Sequence, residues 1–285
     1  MLYLITAIAC SAIISVIIRV SKKEVKYPVT MYGANYITCE ILGLIFLLSG
    51  ESTIAGLTGG ELRFAMQLGF FTGLLYPVGF ILMRINIINS GMALTSVFSK
   101  LGVIVPTLLS ILLFHENPSA ACYVGIAVAV AAIIVMGLAK KEPREAGKHS
   151  NYFWLVIHLL CGGVTESANK LFDEFGTSQS KTLFLLMIFG AALLFCIVWM
   201  IISKGKICAK DALVGVALGV PNYFTSRLIL RALESIPAVV VFPVYSVGTI
   251  VAITLIGLFF FKEKLNRIQV IGIGMILAAL VLLNL

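Results

Sequence analysis

PTLLSILLFHE at residues 106–116 and TIVAITLIGLFFFKE at residues 249–263 each run an apolar stretch into Phe, one basic or imidazole residue and a glutamate. Glu263 lies 147 residues after Glu116, and sliding the chain by that offset, without a gap, aligns further pairs. Tyr76 meets Tyr223, Arg84 meets Arg231, Ser99 meets Ser246, Thr107 meets Thr254 and Phe114 meets Phe261. Gly125 then meets Gly272, and Ala131–Ala132 meets Ala278–Ala279. Gly and Ala identities are cheap in apolar helices, but coincident Arg and Glu residues at loop-like positions are not. The pattern is that of an internal duplication.

Working outward, apolar blocks of about 20 residues surround both stretches, the length that crosses a hydrocarbon core of about 30 Å. The 285 residues are 60% hydrophobic and only 12% charged, with a mean hydropathy of +1.07. A soluble chain needs about twice that share of charge to face water. We read ten spans, near 2–20, 29–49, 64–85, 91–114, 118–139, 152–172, 182–203, 211–233, 237–261 and 266–285. The first is apolar from Leu2 with no basic stretch before it, so it reads as a retained helix and not a cleaved signal.

The expected fold is an all-α integral membrane protein of ten transmembrane helices. Residues 1–139 form the first five-helix repeat, 140–151 a basic linker (KKEPREAGKHSN) and 152–285 the second repeat, within one membrane domain. Five is odd, so the second repeat enters the membrane from the opposite side. Such inverted repeats place solute sites of secondary transporters near the midplane.

The ten spans, the five-plus-five repeat and the helix-then-Glu stretches resemble the drug/metabolite transporter superfamily, specifically its ten-helix EamA-type permeases. The resemblance implies that helices 1–4 and 6–9 surround a central cavity while helices 5 and 10 pack outside. That family often has Gly before the motif glutamate, where this chain has His115 and Lys262.

Charge inside the spans is sparse and therefore informative, since an ionisable group there costs about 2.5–3.5 kcal/mol unless paired or wet. Lys100 is the sharpest candidate, as a partner for an anionic solute or as a counter-charge to Glu40. Glu40, Glu166 and His158 are the candidates for coupling or counter-charge. Glu166 and Lys170, spaced i,i+4, also read as a pair that neutralises itself on one helix face. Tyr76, Ser99, Asn222, Tyr223, Arg227, Tyr245 and Ser246 complete the expected substrate-binding set, with Ser96 and Ser226 as polar neighbours. As ordinary helix-to-helix bonds they would be equally at home. Pro77, Pro106, Pro221 and Pro243 fall in spans 3, 4, 8 and 9, where interior proline frees backbone carbonyls. Glu116 and Glu263 read as negative charges at the starts of helices 5 and 10.

Spans 5 and 10 carry small residues at close spacing, Gly125 with Ala129 and Gly274 with Ala278. These serve helix packing inside the fold or a homodimer. The six cysteines show no metal or disulfide spacing, and no metal, cofactor or nucleotide-binding signature is present.

The net charge of +8 sits in short loops, so membrane orientation explains it better than nucleic acid does. Fifteen Lys and Arg residues flank the odd-numbered loops, but only Arg63, Lys181 and Arg231 flank the even ones. The count predicts odd loops in the cytoplasm and both termini outside; the resemblance implies termini in the cytoplasm. The expected function is a secondary transporter moving a small polar or anionic metabolite across the cell membrane by alternating access. The alternatives are an exporter of lipophilic cations and, in another class, a membrane enzyme acting on a lipid. The catalytic reading is the weakest, because no confident span holds an Asp or clustered acids. The expected partners are a small solute and the lipid bilayer.

Overall fold

A computed structural model describes residues 1–21, 24–49, 57–90, 92–138, 152–262 and 267–283, apart from the side chains of 84, 87, 88, 90, 92–94, 96, 97, 136–138 and 269. The linker at 140–151, Glu263 and the side chains of Arg84 and Ser96 lie outside it. The described chain is helical, with no strand among the described residues. The helices are α1 (Leu2–Ser21), α2 (Pro28–Leu48), α3 (Gly59–Ser90), α4 (Met92–Leu101), α5 (Ile104–Leu112), α6 (Ala120–Leu138), α7 (Tyr152–Phe175), α8 (Lys181–Ile202), α9 (Ala209–Leu233), α10 (Ala238–Phe259) and α11 (Arg267–Leu282). A 3-10 turn at Ser178–Ser180 precedes α8.

These are the ten expected spans, with the fourth split into α4 and α5. Among the described residues six helices are long and apolar enough to cross a membrane, and shorter apolar helices lie at Phe98–Leu112, Ala120–Val135 and Val270–Leu282. Helix α7 has 24 residues but is diluted by Glu166, Lys170, Asp173 and Glu174. At 32 residues α3 is about 48 Å long, more than a bilayer core requires.

The duplication reappears in backbone detail. His115 and Lys262, 147 residues apart, both adopt left-handed φ, at 51° and 53°. This is the conformation glycine adopts without penalty, which explains why glycine suits the position before the glutamate. Thr107 and Thr254, at the same offset, both donate their hydroxyls to the carbonyl four residues back, Val103 and Ile250.

The split of span 4 has a local cause. Pro106 has no N–H to offer the Gly102 carbonyl, and its ring crowds that carbonyl, so a continuous helix is unfavourable there. Val105 N–H reaches Gly102 O instead, in a tighter turn of 3.0 Å. Pro106 therefore sits in the first turn of α5, where proline is tolerated, and does not kink a continuous helix. Its counterpart by the repeat is Ile253, and α10 runs unbroken.

Packing divides the chain in different places from the duplication. One compact unit, here unit N, comprises Leu2–Pro77 and Leu171–Glu234; the other, unit C, comprises Val78–Lys170 and Ser235–Leu285. Each draws helices from both repeats.

Unit N is built on α9, which packs against α1 and α2, while α2 also packs on α8. Glycines set the closeness of these contacts. A Cβ on Gly215 would fall 2.2 Å from the Met31 carbonyl oxygen, and one on Gly73 2.2 Å from that of Ile188. The helices thus touch backbone to backbone, as small residues permit. The Asp211 side chain, 1% exposed, accepts the N–H groups of Lys26 and Tyr27 just before α2.

In unit C, α6 packs along α11 and α10 packs against α5, α6 and α11. Gly125 faces Leu283, whose backbone nitrogen lies 3.0 Å from a would-be Cβ. Gly274 meets nothing within 4 Å, so only the first small-residue stripe is used inside this unit. Glu116 acts on Cys122 in the first turn of the helix that follows it, and it also serves a second helix. Its carboxylate accepts the N–H groups of Ala238 and Val239 at the start of α10, at 3.2 and 3.1 Å, and binds Lys170 Nζ at 2.9 Å. Helix α6 is opened by Ser119, whose hydroxyl accepts the Cys122 N–H.

Candidate functional site

The expected site residues fall into two groups, one within each unit. Unit C holds Ser99, Lys100, His158, Glu166, Tyr245 and Ser246. Unit N holds Glu40, Tyr76, Asn222, Tyr223 and Arg227.

In unit C the break of span 4 places Lys100 in the last turn of α4. The carbonyls ending a helix favour a cation there, so the lysine is not stranded midway along a continuous helix. Its Nζ lies over the Tyr245 ring, 5.6 Å from the centroid. The carboxylate whose charge acts on it is Glu166 of α7, in place of the expected Glu40. The expected Glu166–Lys170 pairing on one face of α7 gives way to two longer-range ones, Glu166 with Lys100 and Lys170 with Glu116. The break also seats itself on α7. A Cβ on Gly102 would lie 3.1 Å from the Leu159 oxygen, and one on Gly163 2.8 Å from the Gly102 oxygen.

Unit C also holds buried polar atoms left without a hydrogen-bond partner among the described residues: His158 Nδ1, Glu166 Oε2, Asn169 Oδ1, Asn86 Oδ1 and Ser110 Oγ. Asn86 spends its amide on the Trp154 carbonyl, at 3.0 Å. Ser246 is buried and Ser99 is exposed.

In unit N one face of α2 carries Asn35, Tyr36, Cys39 and Glu40. Asn222 of α9 donates to Asn35 Oδ1 at 3.2 Å, and Cys39 Sγ donates to the Gly219 carbonyl. The Glu40 carboxylate lies against Gly190 of α8, its Oε1 2.9 Å from where a Cβ would be, and that oxygen is buried without a partner. Rings enclose this region: Phe189 stands 6.4 Å from Tyr36, 6.2 Å from Tyr76 and 6.0 Å from Tyr223. Arg227 projects from the next turn of α9. Its guanidinium sits 4.0 Å from the centroid of the Phe46 ring and donates to the Tyr223 hydroxyl at 3.5 Å.

Reading the sequence alone missed Tyr36, Asn35, Phe46, Phe189 and Gly190. The signal for the first two was present, because 35, 36, 39 and 40 recur at the i, i+1, i+4, i+5 spacing of one helix face. Phe189 and Gly190 lie on α8 and left no local mark, whereas Phe46 stands on α2 itself.

Comparison with known proteins bears on the same fold. A curated relative, an uncharacterized protein of Haemophilus influenzae, is 24% identical over 97% of this chain and 95% of its own length. A solved crystal structure superposes with a TM-score of 0.72 over 99% of this chain and 94% of the other, at 15% identity, a likeness of fold. Residues 149–285, the second repeat with the end of the linker, match the EamA-like transporter family. With the apolar helices and this match in hand, the chain is a multi-pass membrane protein whose residues 149–285 carry an EamA-like transporter domain.

Proposed function

We propose that the chain is a secondary carrier of a small polar or anionic metabolite, working by alternating access in the cell membrane. The single observation that carries the anionic part is Lys100. It ends a broken helix, lies beside the Tyr245 ring, and has Glu166 as its counter-charge. A lysine placed this way exchanges Glu166 for a substrate carboxylate or phosphate when one arrives. The unmet polar atoms along α7 support an aqueous lining, since buried polar groups need water or a ligand where protein offers no partner. The test is counterflow in proteoliposomes against organic acids, amino acids, sugars and lipophilic cations. Flux of one anionic solute, lost in Lys100→Ala, is the expected outcome; a cationic solute whose flux survives that substitution overturns it.

A second reading, export of lipophilic cations, rests on Glu40. Its unmet Oε1 and the rings of Tyr36, Tyr76, Phe189 and Tyr223 in unit N are the groups an organic cation would use. That reading predicts cation flux abolished by Glu40→Gln. Glu40, Glu166 and His158 remain the proposed groups for proton coupling, and flux independent of pH in the same proteoliposomes would remove it.

A further inference from the structure

A cationic recess in unit N is left unexplained by the proposed solute contacts at Lys100. It lies where the 3-10 turn leads into α8 and the last turns of α9 pass beside it. Lys181, Arg227 and Arg231 line it together with Ser178 and Thr182, and no carboxylate does. Arg227 and Arg231 stand one turn apart and act on each other as like charges. Lys181 is also the first residue of the 22-residue α8, so the dipole of that helix adds to the positive potential. The even-numbered loops hold only three basic residues, and two of them converge here. The general bias of loop charge that orients a membrane protein therefore does not account for the cluster.

The arrangement already holds one anion, supplied by the chain. Lys181 Nζ donates to Glu234 Oε1 at 2.5 Å, Ser178 Oγ donates to the same oxygen at 3.2 Å, and Arg231 NH1 is 3.6 Å from Oε2. The recess behind this contact is small, about 10 Å³, or room for one water. Beside it opens a groove of about 560 Å³ shared through Ser178 and Lys181. A larger anion reaches the three cations only by taking the place of the Glu234 carboxylate.

We propose that Lys181, Arg227 and Arg231, with the hydroxyls of Ser178 and Thr182, form an anion-binding site in which the Glu234 carboxylate is a resident, displaceable ligand. Its external ligand is a phosphate- or carboxylate-bearing molecule, either a soluble metabolite or an anionic lipid headgroup. Both sources share the chemistry of planar or tetrahedral oxyanions on guanidinium and ammonium donors. The site stands whether or not Lys100 contacts the transported solute, and the test below reads binding and not flux.

The experiment uses the full chain in nanodiscs of phosphatidylcholine, titrated with inorganic phosphate at constant ionic strength, with unfolding temperature as the readout. Wild type is expected to show a saturable rise. Lys181→Gln and Arg231→Gln should each weaken the apparent affinity about tenfold. Glu234→Gln should strengthen it at least about threefold, because the resident competitor is gone. That gain cannot arise from misfolding, and Arg63→Gln, outside the cluster, should match wild type. Repeating the titration in discs containing phosphatidylglycerol separates the sources: loss of the phosphate response there assigns a lipid headgroup, and its persistence assigns a soluble anion. No saturable response in phosphatidylcholine, or equal responses in Lys181→Gln and Glu234→Gln, overturns the proposal.

Discussion

Units N and C are assembled from the same duplicated helices but solve the burial of polar groups differently. Unit N is close-packed through glycine, with Asp211 and the Asn35–Asn222 pair satisfied inside the protein. Its unmet buried atoms among the described residues are Tyr36 OH and Glu40 Oε1. Unit C interrupts a helix, keeps Lys100 beside Glu166, and leaves five such atoms around α5, α7 and the end of α3. A region with more unmet polar groups gains more from water or a bound solute, whereas glycine-packed backbones resist any change in spacing. The difference assigns rigidity to unit N and solvation to unit C, and four sets of measurements bear on it.

The largest effect is expected at the two acids that close helix starts. Glu116→Ala should cost about 4 kcal/mol, because it removes the carboxylate that the buried Lys170 binds at 2.9 Å as well as freeing two N–H groups. Asp211→Ala, which frees N–H groups alone, should cost about 2 kcal/mol. Unfolding by SDS titration in mixed micelles measures both, and the reverse order would break the contrast. Next are the glycines. Gly215→Ala drives a methyl into the Met31 carbonyl, which cannot yield, for about 3 kcal/mol. Gly163→Ala meets the Val105 side chain at 2.5 Å and the Gly102 carbonyl at 2.8 Å, a looser fit to backbone than at Gly215, and should cost about 2 kcal/mol.

A smaller effect follows pH. Burial of the Glu234 carboxyl acts to raise its pKa, but the hydrogen bond and charge of Lys181, with Arg231 and Ser178, outweigh it and hold it below its ordinary value. A depressed carboxyl pKa stabilises the fold above the ordinary value and loses that contribution as pH falls through the folded one. The unfolding temperature of wild type should therefore fall more steeply than that of Glu234→Gln as pH drops from neutral into the carboxylate range. Smallest of all, His115→Gly and Lys262→Gly should each stabilise by about 0.5 kcal/mol, the relief of left-handed backbone less the entropy of glycine. Equal gains at both would sharpen the case that the two turns are copies.

The spans were legible because hydrophobic length is a local property, although α3 (Gly59–Ser90) runs five residues past each end of the expected 64–85. The boundary between the units was not, since it follows contacts and falls at Pro77, Lys170 and Glu234 instead of at the polar linker. Pro106 announced a disturbance in span 4, but whether it kinks the helix or ends it depends on Gly102 finding α7 alongside. The i,i+4 spacing of Glu166 and Lys170 suggested a pair, and each residue found a stronger partner on another helix. Glu116 read as a charge for its own helix, because a carboxylate in a tight turn gives no sign of a helix start 122 residues further on.

That distance has a consequence for how the protein is made. Glu116 leaves the ribosome on the order of 10 s before the first turn of α10 at ordinary elongation speeds, and Lys170 also follows it. The start of α2 waits longer still, since Asp211 lies 184 residues beyond Tyr27. Each unit is tied by an acid and a helix start from opposite ends of the message. The start of α2 and the Glu116 carboxylate thus enter the bilayer unmet, while α3 and α6 carry local caps at Thr58 and Ser119, and it is α9 and α10 that later close the two open contacts.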